Sequence, residues 1–321
     1  MQHLALAKKK IVVIGGGTGV FTVLTGLRKY PTELTAVVTM ADDGGSTGML
    51  REDFGILPPG DVRRALIALS KTEDKILAQL FTYRFKEGAG LHGHSFGNLM
   101  LTALERIVGD FEGAIVAAGK ILGVEGGVIP VTKTFTKLFA ELENGQVIRG
   151  ESNIDIPSHD GRLKIKRVWL EPRAALNSSA EKAILAADLV VLGPGDLYTS
   201  VLPNLLIEGM PEALKKTKAK KVYITNLMTK FGETNDFVAS DFLKTIEIYL
   251  GNKVLDYVVA NNQKPAPARL KPYVKEKASF VELDSNNFSK KPLLVSAPLG
   301  RTKGFLRHDP ERLARVLWGL I

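Results

Sequence analysis

Two apolar runs that each end in a glycine-rich turn constrain this chain more than any other feature. Ile11-Val12-Val13-Ile14 leads into Gly15-Gly16-Gly17-Thr18-Gly19, and Leu189-Val190-Val191-Leu192 leads into Gly193-Pro194-Gly195-Asp196. Short apolar runs bounded by turn residues read as buried strands. A segment able to start a helix follows each turn. Strand, glycines and helix N-terminus together can aim backbone N–H groups at a phosphate. Two such turns predict a nucleotide, or a phosphorylated substrate, held at one end of a parallel sheet.

The surrounding pattern agrees with such a sheet. A helix is expected at about 20–29, a strand over Leu34–Met40 and helices over Asp61–Leu69, Ile76–Phe81 and Asn98–Val108. After residue 168 come a helix at Ala180–Ala187, the strand Leu189–Leu192 and a helical Val201–Gly209. Strands follow at Val222–Thr225, Val254–Ala260 and Leu293–Ala297, with one or two helices in Thr234–Tyr249 and a terminal amphipathic helix, Pro310–Leu320, capped by Asp309. This βαβα rhythm predicts an α/β fold: a Rossmann-like, mainly parallel sheet with helices on both faces. Residues 128–168 differ. They alternate at period two, and Asn144-Gly145 is a hairpin turn signal. We read them as a small antiparallel β insertion of three or four strands within one domain spanning 1–321.

Several loops carry residues with chemical potential. The first glycine turn has neither the Rossmann fingerprint, since Val20 stands where its third glycine is expected, nor the Lys-Ser/Thr of a Walker loop. A purely structural turn is its alternative. The next strand ends in Asp42-Asp43-Gly44-Gly45-Ser46, placing two carboxylates beside that turn. Carboxylates near a phosphate call for a divalent cation such as Mg²⁺, or for a ribose hydroxyl; an acidic turn capping local N–H groups is the plain alternative. In Pro58-Pro59-Gly60-Asp61-Val62-Arg63-Arg64, Asp61 can cap a helix or join the carboxylate set, and the arginines offer forks for phosphate. His92-Gly93-His94-Ser95-Phe96-Gly97-Asn98 reads as a helix-start loop lining a cleft rather than a zinc site. In the second turn Thr199 and Ser200 can add hydroxyls to the backbone donors. Asn226, Asn261 and Asn262 follow later strands, where an amide can read a base or sugar.

Composition excludes several classes. With no cysteine there is no disulfide, thiolate metal site or cysteine nucleophile. Met1–Lys10 lacks the apolar core of a signal peptide, and no run reaches the roughly 18 apolar residues of a membrane span, so a cytoplasmic protein without membrane insertion is expected. Net charge is +9, with lysines densest at 215–221. No aromatics interleave them, so they read as a solvated connection and no nucleic-acid partner is expected.

The stretches IGGGTG, TMADDGGSTGMLRED, LPPGDVRRALIAL, HSFGNLMLTAL, LGPGDLYTSVLPNLL, ITNLMTKFGET and RHDPERLARVL, in this order from about Lys9 to the C-terminus, resemble the YvcK-type gluconeogenesis factors of the CofD-like superfamily of 2-phospho-L-lactate transferases. Two departures, at Lys133–Lys137 and Asn177–Ser179, fall outside the ligand loops. The resemblance implies a CofD-like fold with its ligand across the carboxyl ends of the strands. For the YvcK branch it implies binding of UDP-sugars, notably UDP-N-acetylglucosamine, and a regulatory role in cell shape and wall synthesis during gluconeogenic growth, with no turnover implied. For the transferases it implies Mg²⁺-dependent transfer of a phospholactyl-type group from a nucleotide-linked donor.

By motif the resemblance places the metal on Asp43 and Asp61, which are also the catalytic candidates. It places the phosphate on Gly15, Gly16, Gly17, Thr18 and Gly19, and the base-reading loops on Asn226 and the Asn261 region. With the loops read above, the expected nucleotide site adds Asp43, His94, Asn98, Gly193, Gly195 and Asp196. No obligatory cofactor is expected beyond optional Mg²⁺, and a homo-oligomer is admitted. A dinucleotide dehydrogenase is disfavoured by the missing third glycine and by the second turn.

Overall fold

The computed structural model describes residues 7–71 and 75–321. In chain order the first half runs β1 (Lys9–Gly15), α1 (Gly17–Leu27), β2 (Thr32–Val38), α2 (Gly45–Phe54), α3 (Pro59–Leu69), α4 (Lys75–Thr82), α5 (Phe96–Val108), α6 (Phe111–Ile121) and β3 (Gly127–Pro130). Then come β4 (Lys137–Leu142), β5 (Val147–Arg149), α7 (Glu151–Asp155) and β6 (Ile165–Glu171). The second half runs α8 (Ser178–Ala186), β7 (Leu189–Leu192), a π-helical turn (Leu197–Val201), α9 (Leu202–Leu205), α10 (Met210–Lys216), β8 (Lys220–Ile224), α11 (Ala239–Leu250), β9 (Tyr257–Asn261), α12 (Pro267–Val274), β10 (Leu293–Ala297) and α13 (Pro310–Trp318).

Seven strands form one parallel sheet in the order β10-β9-β8-β7-β1-β2-β3. Ile11–Ile14 and Leu189–Leu192 are buried throughout, as strands covered on both faces must be. Strand order reverses between β1 and β7. Right-handed crossovers that march in opposite directions from this point put their helices on opposite faces of the sheet. Accordingly α1 packs with α3 and α13, while α8, α9, α10 and α11 pack as a second group. The β1/β7 pair is therefore the topological switch point, outside whose carboxyl ends a crevice forms. Both glycine turns leave from these two strands.

The insertion is smaller than expected. Val128–Pro130 belongs to β3, which pairs parallel with β2 at the edge of the main sheet, and only β4, β5 and β6 form the antiparallel sheet. Period-two alternation marks a half-buried strand and does not reveal its partner. Helices α2, α6, α7 and α12 add to those expected, and the second glycine turn opens a π-helical turn instead of an α-helix. Asp309 caps α13, accepting from the Glu311 and Arg312 N–H groups at 3.0 Å each. Lys220 and Lys221 are engaged, by the Leu320 carbonyl and Asp256, in keeping with a structural connection. No described helix is long and apolar enough to cross a membrane. The leader question falls largely on residues 1–6, outside the described residues.

Candidate functional site

The two glycine turns pack directly on one another. A Cβ at Gly19 would lie 1.7 Å from the Pro194 carbonyl oxygen, so only a glycine lets α1 approach the second turn this closely. The first turn is also held from the side. Asp61, 7% exposed, accepts the Gly17 N–H at 2.9 Å and pairs with Arg64 at 3.3 Å. Asp61 sits inside the first turn of α3 rather than at its cap; Pro58 occupies that position. Its carboxylate serves the N-terminus of α1, which has no side-chain cap of its own and no acidic residue in its first turn. Burial pushes the Asp61 carboxyl above the usual range; Arg64 opposes this and Asp42 adds to it.

In front of these turns lies a cleft of about 460 Å³. Gly17 and Thr18, Asp42 and the start of α2, Asp61, Arg63, Arg64 and Arg84, Asn98, Glu151 and Asp155, and Asp196, Thr199 and Ser200 line it. Buried Arg63 is oriented by Asn98, whose Oδ1 accepts from its Nε at 2.9 Å; the Asn98 amide donates to Ser46 Oγ at 3.2 Å. His94 Nδ1 lies 3.3 Å from the same Ser46 Oγ. His94 thus supports the wall from behind. Burial, then the neighbouring Arg64 and Arg84, lowers the Arg63 pKa to about 10. The cleft therefore opposes guanidinium groups to carboxylates. An anion and a cation can be held side by side there.

The carboxylates divide unequally. Asp42 lines the cleft. Asp43 turns away: its Oδ1 accepts from Ser152 N and Oγ at 2.8 Å each and its Oδ2 from Glu151 N at 3.2 Å, which fastens the antiparallel sheet's α7 to the loop after β2. Arg51 makes a second fastening, donating to the carbonyls of Asp42 at 2.6 Å and Thr136 at 2.7 Å. Of the expected metal pair, Asp61 lines the cleft and Asp43 does not; Asp42 stands there in its place, and carboxylate oxygens are the donor type Mg²⁺ takes. Among the described residues one trio of carboxylates, Asp155, Asp196 and Glu233, brings oxygens within 4.8 Å of one another. Lys230 already stands there, pairing with Asp155, with Asp196 at 2.9 Å and with Glu233 at 3.2 Å.

Glu151 is the most perturbed group facing the cleft. Burial, then the charges of Asp42, Asp155 and Asp43, push it up to about 9. A carboxyl with a raised folded pKa makes the folded chain bind more protons than the unfolded one, so stability falls as pH climbs from the ordinary glutamate range towards 9. Glu151→Gln is expected to flatten that slope. Melting temperatures taken between about pH 5 and pH 9 test it, and equal slopes for the two proteins would remove Glu151 as the cause.

Two further cavities continue along the carboxyl edge. A slot of about 110 Å³ is lined by Thr18, Gly19, Gly195, Asn226, Leu306 and His308 among others. Beyond it a chamber of about 190 Å³ is lined by Leu227, Asn261, Ala266, Phe280, Arg301 and Leu306 among others. The loop 299–309, which closes both, is braced by Arg269 donating to the Arg301 and Gly304 carbonyls and by Leu306 N donating to Tyr273 Oη at 2.7 Å.

The structure thus brings Gly17, Thr18, Asp61, Asn98 and Asp196 to the cleft, Gly19, Gly195 and Asn226 to the slot, and Asn261 to the chamber. Asn261 has both amide ends engaged, accepting from Leu299 N at 2.9 Å and donating to Gln263 O at 2.8 Å. Gly15, Gly16 and Gly193 shape the turns from beneath. Arg84, Glu151 and Asp155 are not singled out by the sequence reading. Lys230 and His308 stand in stretches that carry the family resemblance but have no role of their own there.

The profile of the family described as 2-phospho-L-lactate transferase CofD matches residues 11–297. The chain belongs to the CofD family. Within it, the chain is 46% identical over 283 residues to the gluconeogenesis factor of Halalkalibacterium halodurans, covering 88% of this chain and 86% of that one. It is 41% identical over 318 residues to the gluconeogenesis factor of Bacillus subtilis, covering 98% of each. A crystal structure of a UPF0052-family protein from Bacillus halodurans superposes with a TM-score of 0.92 at 42% identity, covering 97% of this chain and 99% of that one. This CofD-family chain therefore has gluconeogenesis factors as relatives, and the resemblance read from its motifs holds along its length.

Proposed function

We propose that this protein binds a nucleotide sugar of the UDP-N-acetylglucosamine class across the carboxyl edge of its sheet and acts as a cytoplasmic regulator of cell shape and wall synthesis during gluconeogenic growth. The observation carrying this reading is the continuous run of cavities, sharing Thr18 between cleft and slot and Leu227 and Leu306 between slot and chamber. A base, a sugar, a diphosphate and a second sugar have that linear order. Arg63 and Arg64 suit the diphosphate, and Asp42 and Asp61 would hold a Mg²⁺ that offsets its charge. A thermal-shift panel of UDP-N-acetylglucosamine, UDP-glucose, GDP, GTP and NAD, each with and without Mg²⁺, tests it. A ligand present at 100 times its Kd should stabilise by about 2.7 kcal/mol. A shift with a guanine nucleotide alone would overturn the UDP-sugar assignment.

A CofD-type transferase is the second reading, favoured by one observation. Past Asp155, Ile156 and Asp196 the cleft continues into a chamber of about 500 Å³ whose lining includes Met228, Phe231 and Tyr273. A partly apolar space beside a phosphate site suits an acceptor. Turnover of a nucleotide-linked donor in the presence of a deazaflavin acceptor would favour this reading over the regulator.

A further inference from the structure

Asp42 lines the cleft, but its neighbour Asp43 lines a different cavity, of about 370 Å³. Among the described residues Ser152 alone lines both, and its Oγ donates to Asp43 at 2.8 Å. The second cavity opens between a helix and the antiparallel sheet. Arg51 and Glu52 come from α2, Phe135 from the loop before β4, Lys137 from β4 and Arg149 from β5. Its size falls in the roughly 300–1,000 Å³ range of small-molecule sites.

The four cations on the strands of that sheet divide in two. Lys166 and Arg167 both pair with Glu141, at 2.8 Å and 2.6 Å. Lys137 and Arg149 pair with no carboxylate among the described residues, and these are the two that line the cavity. Glu171 stands across the ladder from Lys137, but its carboxylate accepts from Trp169 Nε1 at 2.7 Å. Arg149 lies over the ring of its own cross-strand neighbour, Phe139, 5.8 Å from the centroid. Stacking occupies the flat face of a guanidinium and leaves its N–H edge free to meet an oxyanion in the plane. Buried Arg51 lies over Phe135 in the same way, at 4.3 Å, and Asp43 offsets its charge. The remaining carboxylate of the lining, Glu52, is exposed. Unmatched cations around a recess draw in an anion.

We infer that this cavity is a separate site for a small phosphorylated metabolite, its phosphate held by the Lys137 ammonium and the N–H edge of Arg149. Two unmatched cations suit a phosphomonoester, which carries close to two negative charges at pH 7. The cavity has the room of about a dozen waters, enough for a phosphate and the few carbons that carry it. Arg51, committed to the Asp42 and Thr136 carbonyls, fixes the wall that joins α2 to the sheet. The site uses none of the cleft's arginines and stands independently of the nucleotide reading.

Trp169 supplies a local reporter. Its ring stacks on Phe139 with centroids 5.6 Å apart, and Phe139 carries Arg149. The chain's other tryptophan, Trp318, lies against Tyr30 and is removed by Trp318→Phe. This full-length protein is titrated at one ionic strength with glycerol 3-phosphate, with succinate and with glycerol, and Trp169 fluorescence is followed. A saturable change is expected with glycerol 3-phosphate and none with glycerol. Lys137→Gln and Arg149→Gln should each raise the Kd about 10-fold or more. Lys137 is half-buried and Arg149 exposed, so neither substitution endangers the fold. Arg64→Gln, which removes a cation from the cleft, should leave the titration unchanged. A signal lost with Arg64 and kept in the Lys137 and Arg149 variants would put the phosphate in the cleft and overturn the separate site, as would a signal that never saturates. Tighter binding of succinate than of glycerol 3-phosphate would overturn the phosphorylated ligand.

Discussion

Gly19→Ala is expected to cost this protein about 1–3 kcal/mol or more of its folding free energy and, with it, the nucleotide binding proposed above. The new methyl group would stand 1.7 Å from the Pro194 carbonyl oxygen, 2.5 Å from the carbonyl carbon and 3.2 Å from Gly195 N. These are backbone atoms, so no side-chain rotation relieves the overlap. The second turn must retreat, and it retreats from the contact that joins cleft to slot. For a domain somewhat smaller than this chain, each kcal/mol lowers Tm by about 2–4 °C. Gly119→Ala is the control. Its Cβ would meet Leu66 and Val124 at an ordinary 3.7 Å, inside α6. There alanine is expected to stabilise by about 0.5–1 kcal/mol through helix propensity and a less flexible unfolded chain. Paired melting and ligand-shift measurements separate the two. A Gly19 variant that melts like wild type and still responds to ligand would show that the turns need not touch.

The strands under these turns are legible from sequence because burial on both faces demands an unbroken apolar run, and Ile11–Ile14 and Leu189–Leu192 supply one each. That the turns touch was not legible. Adjacency of β1 and β7 follows from strand order, which pairs residues as distant in sequence as Ile11 and Leu189. Local chemistry also hides which of two neighbouring carboxylates faces a cleft. Asp42 and Asp43 share one turn, and only its backbone path sends Asp42 inward and Asp43 onto α7. Glu151 was illegible for a different reason. Its raised pKa arises from burial beside Asp42, Asp155 and Asp43, which the antiparallel sheet brings up from a distance. Asn226 shows the reverse case. Its place after a strand marks it as a candidate, and the structure leaves its carbonyl oxygen without a partner.

Lys230→Met should be the most destabilising change of a charged residue near the cleft. Lys230 is the cation at the centre of Asp155, Asp196 and Glu233, whose oxygens converge within 4.8 Å. Glu233 has no exposed side-chain surface, and it also holds the π-helical turn, accepting from Tyr198 N at 3.0 Å and Thr199 Oγ1 at 3.2 Å. Methionine keeps the length of the side chain and removes the charge. Three carboxylates then face one another across a partly buried space, and removing one member of such a pairing costs about 3–5 kcal/mol, towards the lower end here because Lys230 is itself 26% exposed. The pH dependence identifies the cause. Burial raises the Glu233 carboxyl pKa and Lys230 pulls it back down. Without the lysine that opposition is gone, so the folded variant binds more protons than its unfolded chain over a wider range, and its stability falls more steeply as pH rises. The gap in Tm between variant and wild type should therefore be widest near pH 8 and narrow towards about pH 5, where the Glu233 carboxyl can be neutral. A gap that stays constant over that range would mean that Lys230 acts through its packing rather than its charge. Because Asp196 belongs to the second glycine turn and Glu233 to the turn's support, the same variant should also weaken any ligand that depends on Thr199 and Ser200, which ties the ion cluster to the cleft it borders.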